Sequence, residues 1–415
     1  MSMKDVCVFP ICRDYSAMEI IRVRSEAEAA GAIAAAAAEG LVLELKSNGT
    51  KRGLGRLMNV FAVLDLSGLA GITSYEPDEL VICVRPGTPL NEIEVELASR
   101  GQMLAFEPPD FARFYGASAR STIGGIVGTN ASGPRRFKAG AARDHVLGLN
   151  AINGMGEVLR TGGRVVKNVT GYDLPKLLTG SYGTLAAFSE ITLKVFPMPE
   201  TEATMILRDL SEGQGLSLLR EVAGLTLEAT GLVHATAAVG AGRATFKHEA
   251  RSFTCVRIEG ARESVEARIQ ALIKRVQRID HLVWRSGASR ALWASIRDLD
   301  DFAGTGGPVW RLSIPPAAAE EVANAIGARL ALFDWAGGLI TLQADATPSA
   351  DTALIRAAIA RHGGHATLLR AATPVRKSVP VFEPLSEEVF ALTRRVKEAF
   401  DPKGIFNPGR MHQGI

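Results

Sequence analysis

Short apolar runs alternate with helical stretches through the first two hundred residues. Ser25-Glu26-Ala27-Glu28 is a capping-box sequence, in which the serine hydroxyl accepts from the Glu28 amide and the glutamate reaches back. It predicts a helix through the alanine-rich segment to Gly40. Leu41 to Leu45 then reads as a buried strand, followed by strands at Val63 to Leu66 and Leu80 to Arg85. Pro86-Gly87 marks a turn, with Thr88 as a cap and Pro89 as the first residue of a helix that stops before Gly101. Val146 to Ile152 and Glu157 to Arg160 flank Asn153-Gly154-Met155-Gly156, a β-hairpin pattern. Asp173 is placed to cap a short helix over Leu174 to Leu178 that Gly180 ends. A strand from Ile191 to Phe196 runs into Pro197-Met198-Pro199.

That proline pair predicts a boundary. Beyond it the order is strand, helix (Ser211 to Val222), two strands (the second Ser252 to Ile258), helix (Arg262 to Gln277) and strand (His281 to Trp284). The order returns from Val309: strand, helix (Pro316 to Leu330), two strands around Gly337-Gly338, helix (Pro348 to Arg361), strand (His365 to Leu369). Each unit is ferredoxin-like, and the two can join into one extended antiparallel sheet with helices on one face. The fold class is therefore α+β. The expected domains are 1–199, 200–385, and a C-terminal helix and tail over 386–415 that returns to the first.

Net charge is only +3, which gives no reason to expect nucleic acid or an anionic membrane as partner. The four cysteines include no Cys-x-x-Cys, so neither an iron–sulfur cluster nor a zinc ribbon is encoded. Cys83 and Cys255 lie in apolar, strand-like runs and read as buried thiols of a reducing compartment. The N-terminus has no apolar h-region, and Ala34 to Ala38 is too short to span a bilayer. The expectation is a cytoplasmic protein.

Candidate chemistry sits in two loops. Gly116 to Gly140 is crowded with glycine, serine and threonine, yet Ile123, Ile126 and Val127 anchor it to a core. Backbone without side-chain bulk can approach an anion closely. Arg135, Arg136, Lys138 and Arg143 make its surroundings cationic; they read equally as a steering patch, a solvated face or a subunit contact. Lys46 to Arg56 is a second such loop at the end of a strand, where α/β folds bind phosphates. It has neither the Gly-Lys-Ser/Thr of a P-loop nor Gly-x-Gly-x-x-Gly spacing. A phosphate-bearing cofactor is the natural occupant.

These loops, with Gly171-Tyr172-Asp173-Leu174, Gly180-Ser181-Tyr182-Gly183-Thr184-Leu185 and the tail Asn407-Pro408-Gly409-Arg410, occur in an order that resembles the vanillyl-alcohol-oxidase-type (PCMH-type) FAD-binding family. Within it, Gly101-Gln102-Met103-Leu104-x-x-Glu107-Pro108-Pro109, Ser132 to Arg136, Val166-Lys167-Asn168-Val169, Phe333 to Gly338 and Gly363 to Thr367 resemble the FAD-binding E subunits of bacterial glycolate oxidases. The resemblance implies a two-part FAD-binding domain. Ser47, Asn48, Gly49, Thr50 and Lys51 would form the first pyrophosphate loop, and Thr122, Gly124 and Gly125 the second. Asn130 and Gly133 would continue that wall; Gly180, Ser181, Gly183 and Thr184 would line the cofactor, with Ile191 near the adenine end.

Departures from the family pattern shape the expected function. Neither loop carries the His or Cys to which some members attach flavin, so the FAD is expected to be non-covalent. The C-terminal His-x-His metal and substrate motif of related 2-hydroxy-acid dehydrogenases is missing, so no metal and no catalytic base are assigned; His362 and His365 read as surface residues. Tyr172, His365 and Arg376 remain as possible pocket groups. The implied function is that of an FAD-binding subunit of a complex oxidising glycolate, a 2-hydroxy acid, to glyoxylate. A sister flavin subunit would hold the substrate and an iron–sulfur subunit would pass electrons to quinone. Membrane contact would come only through partners, peripheral to the inner membrane. Two alternatives stay open: a self-sufficient FAD-dependent oxidoreductase, and a non-catalytic flavin-bearing assembly subunit.

Overall fold

The computed structural model describes residues 19–163, 171–243, 250–344 and 348–415. Cys7, Cys12 and the Val166 to Val169 motif lie outside them.

Three strands open the chain: Glu19–Arg22 (β1), Leu43–Lys46 (β2) and Ala62–Asp65 (β3), which form a parallel sheet in the order β1-β3-β2. The helix Glu26–Glu39 covers it, with Ala29, Ile33, Ala36 and Ala37 buried. Ser25 caps that helix as expected and Gly40 ends it in the left-handed region. The Glu28 carboxylate, however, takes the Arg24 amide at 2.8 Å rather than that of Ser25.

A second sheet pairs Ile72–Glu76 (β4), Val81–Val84 (β5), Val146–Ile152 (β7), Val158–Gly162 (β8) and Ala187–Lys194 (β9) in the order β4-β5-β9-β7-β8. Gln102–Met103 (β6) and Phe196–Pro197 (β10) make a two-residue ladder beside it. Thr88 does not cap the helix Leu90–Ser99; its hydroxyl bonds the Arg85 carbonyl and the Gly71 amide, tying two turns together, and Pro89 takes the cap position.

The remaining strands are Thr201–Arg208 (β11), Ala229–Ala235 (β12), Phe253–Gly260 (β13), His281–Arg285 (β14), Val309–Ser313 (β15), Leu330–Asp334 (β16), Leu339–Gln343 (β17) and His365–Arg370 (β18). They form one sheet, β14-β11-β13-β12-β16-β17-β15-β18, in which the two expected halves meet at β12 and β16. Strand alternation gives each face its own partner. Met205, Leu207 and Val256 pack with Leu219 and Ile269 of the helices Glu212–Ala223 and Arg262–Val276. Trp310, Leu312 and Ile340 pack with Val322 and Ile355 in the same way in the second half. Ile206, Val233, Cys255, Val309 and Leu332 point the other way, into a core shared with Ile82, Phe106, Ile123 and Leu149 of the first part.

Two features of this region differ from the sequence reading. Pro316 to Leu330 is not one helix: a 3-10 turn (Pro316–Ala318) leads into the helix Ala319–Ile326, which Gly327 stops at φ 68°. A further helix, Ser286–Arg297, joins the inner face through Leu292, Trp293 and Ile296. Trp293 also donates to the Thr204 hydroxyl at 2.7 Å. Cys83 and Cys255 are free and buried, and burial pushes the Cys255 thiol up to about 12.

The candidate cofactor cleft

The loop Ser47 to Arg52 leaves β2 toward the helix Ile123–Gly128. Cross-bonds hold the two together: Asn48 Nδ2 donates to the Arg120 carbonyl, and Thr50 Oγ1 and Lys51 Nζ contact Ser121 Oγ at 3.3 and 3.2 Å. Asp110 takes the Ser121 amide from behind. Gly180 and Tyr182 donate their amides to the Val127 and Gly128 carbonyls, which fastens the 180–184 segment to the same short helix. The last residues close the floor. Asn407 accepts from the Leu45 amide and donates to the Tyr182 carbonyl, while Arg410 donates to the carbonyls of Lys51 and Leu54. Arg376 grips the Gly55 carbonyl with Nε and Nη2.

The result is a cleft of about 750 Å³, counted to its open mouth. Ser47, Asn48, Gly49, Thr50, Lys51, Thr122, Gly124, Gly125 and Gly183 line it, with Thr129, Tyr182, Phe188 and Arg410. The other expected site residues stand one layer back. Asn130 holds the Arg143 amide, Gly180 sits at φ 84° against it, and Thr184 bonds its own turn at the Ser181 carbonyl. Gly133 packs against the Glu107 backbone, where a Cβ would come within 2.4 Å of the carbonyl oxygen. Ile191 is fully buried in β9, paired to both Val84 and Leu149.

Unpaired donors mark what the cleft is built to hold. Among the described residues, no acceptor meets the backbone N–H groups of Ser47, Asn48, Gly49, Thr50 or Lys51. Successive free amides form an anion-binding concavity. The Lys51 ammonium is buried beside them with no ion pair; burial lowers it to about 8, the charge of Asp110 only partly opposing. Ser181 Oγ and Arg410 Nε are buried without partners. The two glycines of the second loop differ in kind. A Cβ on Gly124 would strike Pro86 at 2.6 Å, whereas one on Gly125 would meet only Thr122 Oγ1 at 3.6 Å and Lys51 Nζ at 3.7 Å, facing open cleft. Converging amides, a buried ammonium and a wall without side chains suit a pyrophosphate-bearing group.

The basic run after the second loop divides. Arg135 joins a buried network in which Arg257 clamps Glu107 through Nη1 and Nη2 at 2.8 and 2.9 Å, and Arg135 clamps Glu259 at 2.9 and 2.6 Å. Burial pushes the Glu107 carboxyl up, but Arg257 and Arg135 outweigh it and hold it at about 2. Lys138 pairs with Glu228 and Arg143 with Asp144 on the surface. Arg136 instead lies 4.8 Å from the Trp335 ring centroid. His362 pairs with Glu321, and among the described residues no group of three or more His, Cys, Asp or Glu could hold a metal ion. No helix there is long and apolar enough to cross a membrane. Tyr172 is 93% exposed and does not line this cleft.

Sequence reasoning named the loops but passed over Arg311. A charge inside Val309-Trp310-Arg311-Leu312 was the available signal, because a strand otherwise apolar on both faces needs a reason to carry one.

Comparison with known proteins shows the family. The FAD binding domain model matches residues 18–162, and that for the C-terminal domain of FAD linked oxidases matches 377–411. The chain belongs to the PCMH-type family of FAD-linked oxidases, and it is an FAD-dependent oxidoreductase. It is 35% identical over 371 residues to glycolate oxidase subunit GlcE of Escherichia coli, covering 89% of this chain and 92% of that protein. It is 28% identical to D-2-hydroxyglutarate dehydrogenase of Xanthomonas citri pv. viticola, over 85% of this chain and 79% of the relative. Among solved structures, 4-ethylphenol oxidase from Gulosibacter chungangensis shares the fold, with a TM-score of 0.70 at 16% identity over 95% of this chain and 89% of the other.

Proposed function

We propose that this chain is the FAD-bearing subunit of a complex that oxidises glycolate, or a close 2-hydroxy acid, to the 2-oxo acid. The carrying observation is its likeness to the E. coli glycolate oxidase subunit along nearly the whole of both chains, together with a cleft of unpaired donors at the matching loops. In this reading residues 1–199 with the 386–415 tail form the cofactor unit, and 200–385 form the unit that closes over it.

Ser47 to Lys51 would cradle the pyrophosphate with backbone N–H groups and the Lys51 ammonium. Thr122 and Gly125 would face it from the opposite wall, and Gly183 with the Ser181 hydroxyl would continue the lining. Gly124, Asn130, Gly133, Gly180, Thr184 and Ile191 would act as supports that fix those loops. FAD, when bound, supplies a carrier that accepts two electrons and passes them on. The chain's own work is to bind, orient and exclude water. None of the residues lining the cleft is His or Cys, which supports non-covalent attachment. A sister flavin subunit would hold the substrate and an iron–sulfur subunit would carry electrons onward, with any membrane contact made through them in the cytoplasm.

One observation favours a second reading, a self-sufficient oxidoreductase. Arg136 and Arg311 are partly buried and un-neutralised beside the cleft. An absorbance spectrum of the purified chain with glycolate separates the two. Flavin that bleaches only with partner subunits supports the complex, bleaching of the chain alone supports self-sufficiency, and a colourless chain overturns both.

A further inference from the structure

Arg311 lies on β15 with its side chain on the face of Val309, toward the first part of the molecule. Its guanidinium is 5.6 Å from the Trp335 ring centroid, and that of Arg136, from the other side of the interface, is 4.8 Å from the same centroid. Among the described residues neither guanidinium makes a hydrogen bond or an ion pair. The indole Nε1 of Trp335 is buried and also lacks a partner.

The surrounding acids offset this charge only in part: Asp144, the acid acting on Arg136, is engaged with Arg143. Asp334 is bonded to the Trp335 amide, and burial pushes its carboxyl up to about 7. Glu383 is engaged by Arg356 at 2.6 Å. The neighbouring titratable groups, His365, Tyr115 and Tyr182, carry no negative charge at neutral pH; burial raises both phenols and lowers the imidazole. Ser132, Gly133, Arg311, Asp334 and Thr341 line a small cavity here, and Tyr182, which feels the charge of Arg311, lines the cofactor cleft. The hairpin that presents the indole is strained: Trp335 and Ala336, both carrying side chains, have positive φ, at 54° and 56°. Strain of this kind persists where the surroundings enforce it, commonly at ligand sites.

We propose that Arg136, Arg311 and the Trp335 indole N–H form a binding site for the carboxylate of a small organic acid, beside Tyr182 at the edge of the cofactor cleft. The inference rests on the proposed function for the identity of the acid, but the site itself does not. Two guanidinium groups and an N–H match a planar carboxylate, and two un-neutralised cations in a partly dry interface gain most from an anion.

The test is calorimetric titration of the purified flavoprotein with oxalate, a carboxylate that offers no hydroxyl to oxidise. The expected result is saturable binding that Arg311→Gln and Arg136→Gln each weaken by about 10- to 100-fold, with flavin per protein unchanged. Arg136 is only half-buried, so its variant keeps the test available if Arg311→Gln fails to fold. No binding by the unaltered protein, or equal binding by both variants, overturns the proposal. A shifted flavin reduction potential with unchanged oxalate affinity also overturns it and reassigns the cations to the reduced flavin. Oxalate binding without bleaching by any 2-hydroxy acid, partners included, would sink the proposed function while leaving the site standing.

Discussion

The interface between the two parts of this molecule buries charge in two opposite ways. At one end Glu107, Arg135, Arg257 and Glu259 neutralise one another through paired, two-pronged contacts, with Arg257 only 1% exposed and stacked 4.4 Å from the Trp293 ring centroid. At the other, Arg136 and Arg311 are partly buried, and Lys51 is buried in the neighbouring cleft, with no carboxylate in contact among the described residues. A desolvated charge costs several kcal/mol unless it is paired. The first group is complete and joins the two parts, while the second is incomplete until something anionic arrives. Burial alone therefore does not separate scaffold from site; neutralisation does.

The largest expected effect breaks the incomplete side. Gly125→Leu fills cleft space that the native backbone leaves open, so the purified variant should be folded by circular dichroism and colourless. A variant with full flavin absorbance would move the cofactor elsewhere. Next comes the complete side. Arg257→Met strands Glu107 and Glu259 with one arginine between them and should cost about 3–5 kcal/mol in denaturant unfolding, equally with and without flavin.

Lys51→Met should weaken flavin binding by about 10- to 100-fold without lowering apoprotein stability. The pH dependence sharpens this. In the apoprotein the Lys51 ammonium titrates near 8, against an ordinary value of 10.5. Between those pH values the unfolded chain binds more protons, so this group's contribution to apoprotein stability rises with pH, and below 8 it is constant. Flavin affinity runs the other way: above pH 8 the ammonium must be reprotonated on binding, so affinity falls by up to about tenfold per pH unit. Titrations of Lys51→Met should lose that slope. The smallest effect belongs to the surface pair. Lys138→Ala separates Lys138 from Glu228 in open solvent and should change neither melting temperature nor flavin content measurably.

Local chemistry was legible in the sequence and remote pairing was not. The cap at Ser25, the hairpin at Asn153 and the two halves of the large sheet each follow from neighbours a few residues apart. So did the loops that line the cleft. Thr88 misled because its hydroxyl serves two turns rather than the helix it precedes. The helix Ser286–Arg297 escaped because its start is small and polar, and only Leu292, Trp293 and Ile296 declare its buried side. The charge network joins residues 150 positions apart, as with Glu107 and Arg257, and no periodicity encodes such a pair. Gly133 shows a subtler limit. Its motif marks a ligand loop, yet its own missing side chain makes room for the Glu107 backbone.

The floor of the cleft has a consequence for biosynthesis. Leu45 and Tyr182 are joined through Asn407, and the Lys51 and Leu54 carbonyls are held by Arg410, contacts spanning up to 362 residues of chain. Lys397 and Asp401, an ion pair buried with the Thr184 and Phe406 carbonyls, lock that tail in place. A ribosome delivers Arg410, which braces the Lys51 carbonyl, 359 residues after Lys51. Chains cut before Asn407 would lose these bonds, so they are expected to retain less flavin than chains that keep the tail.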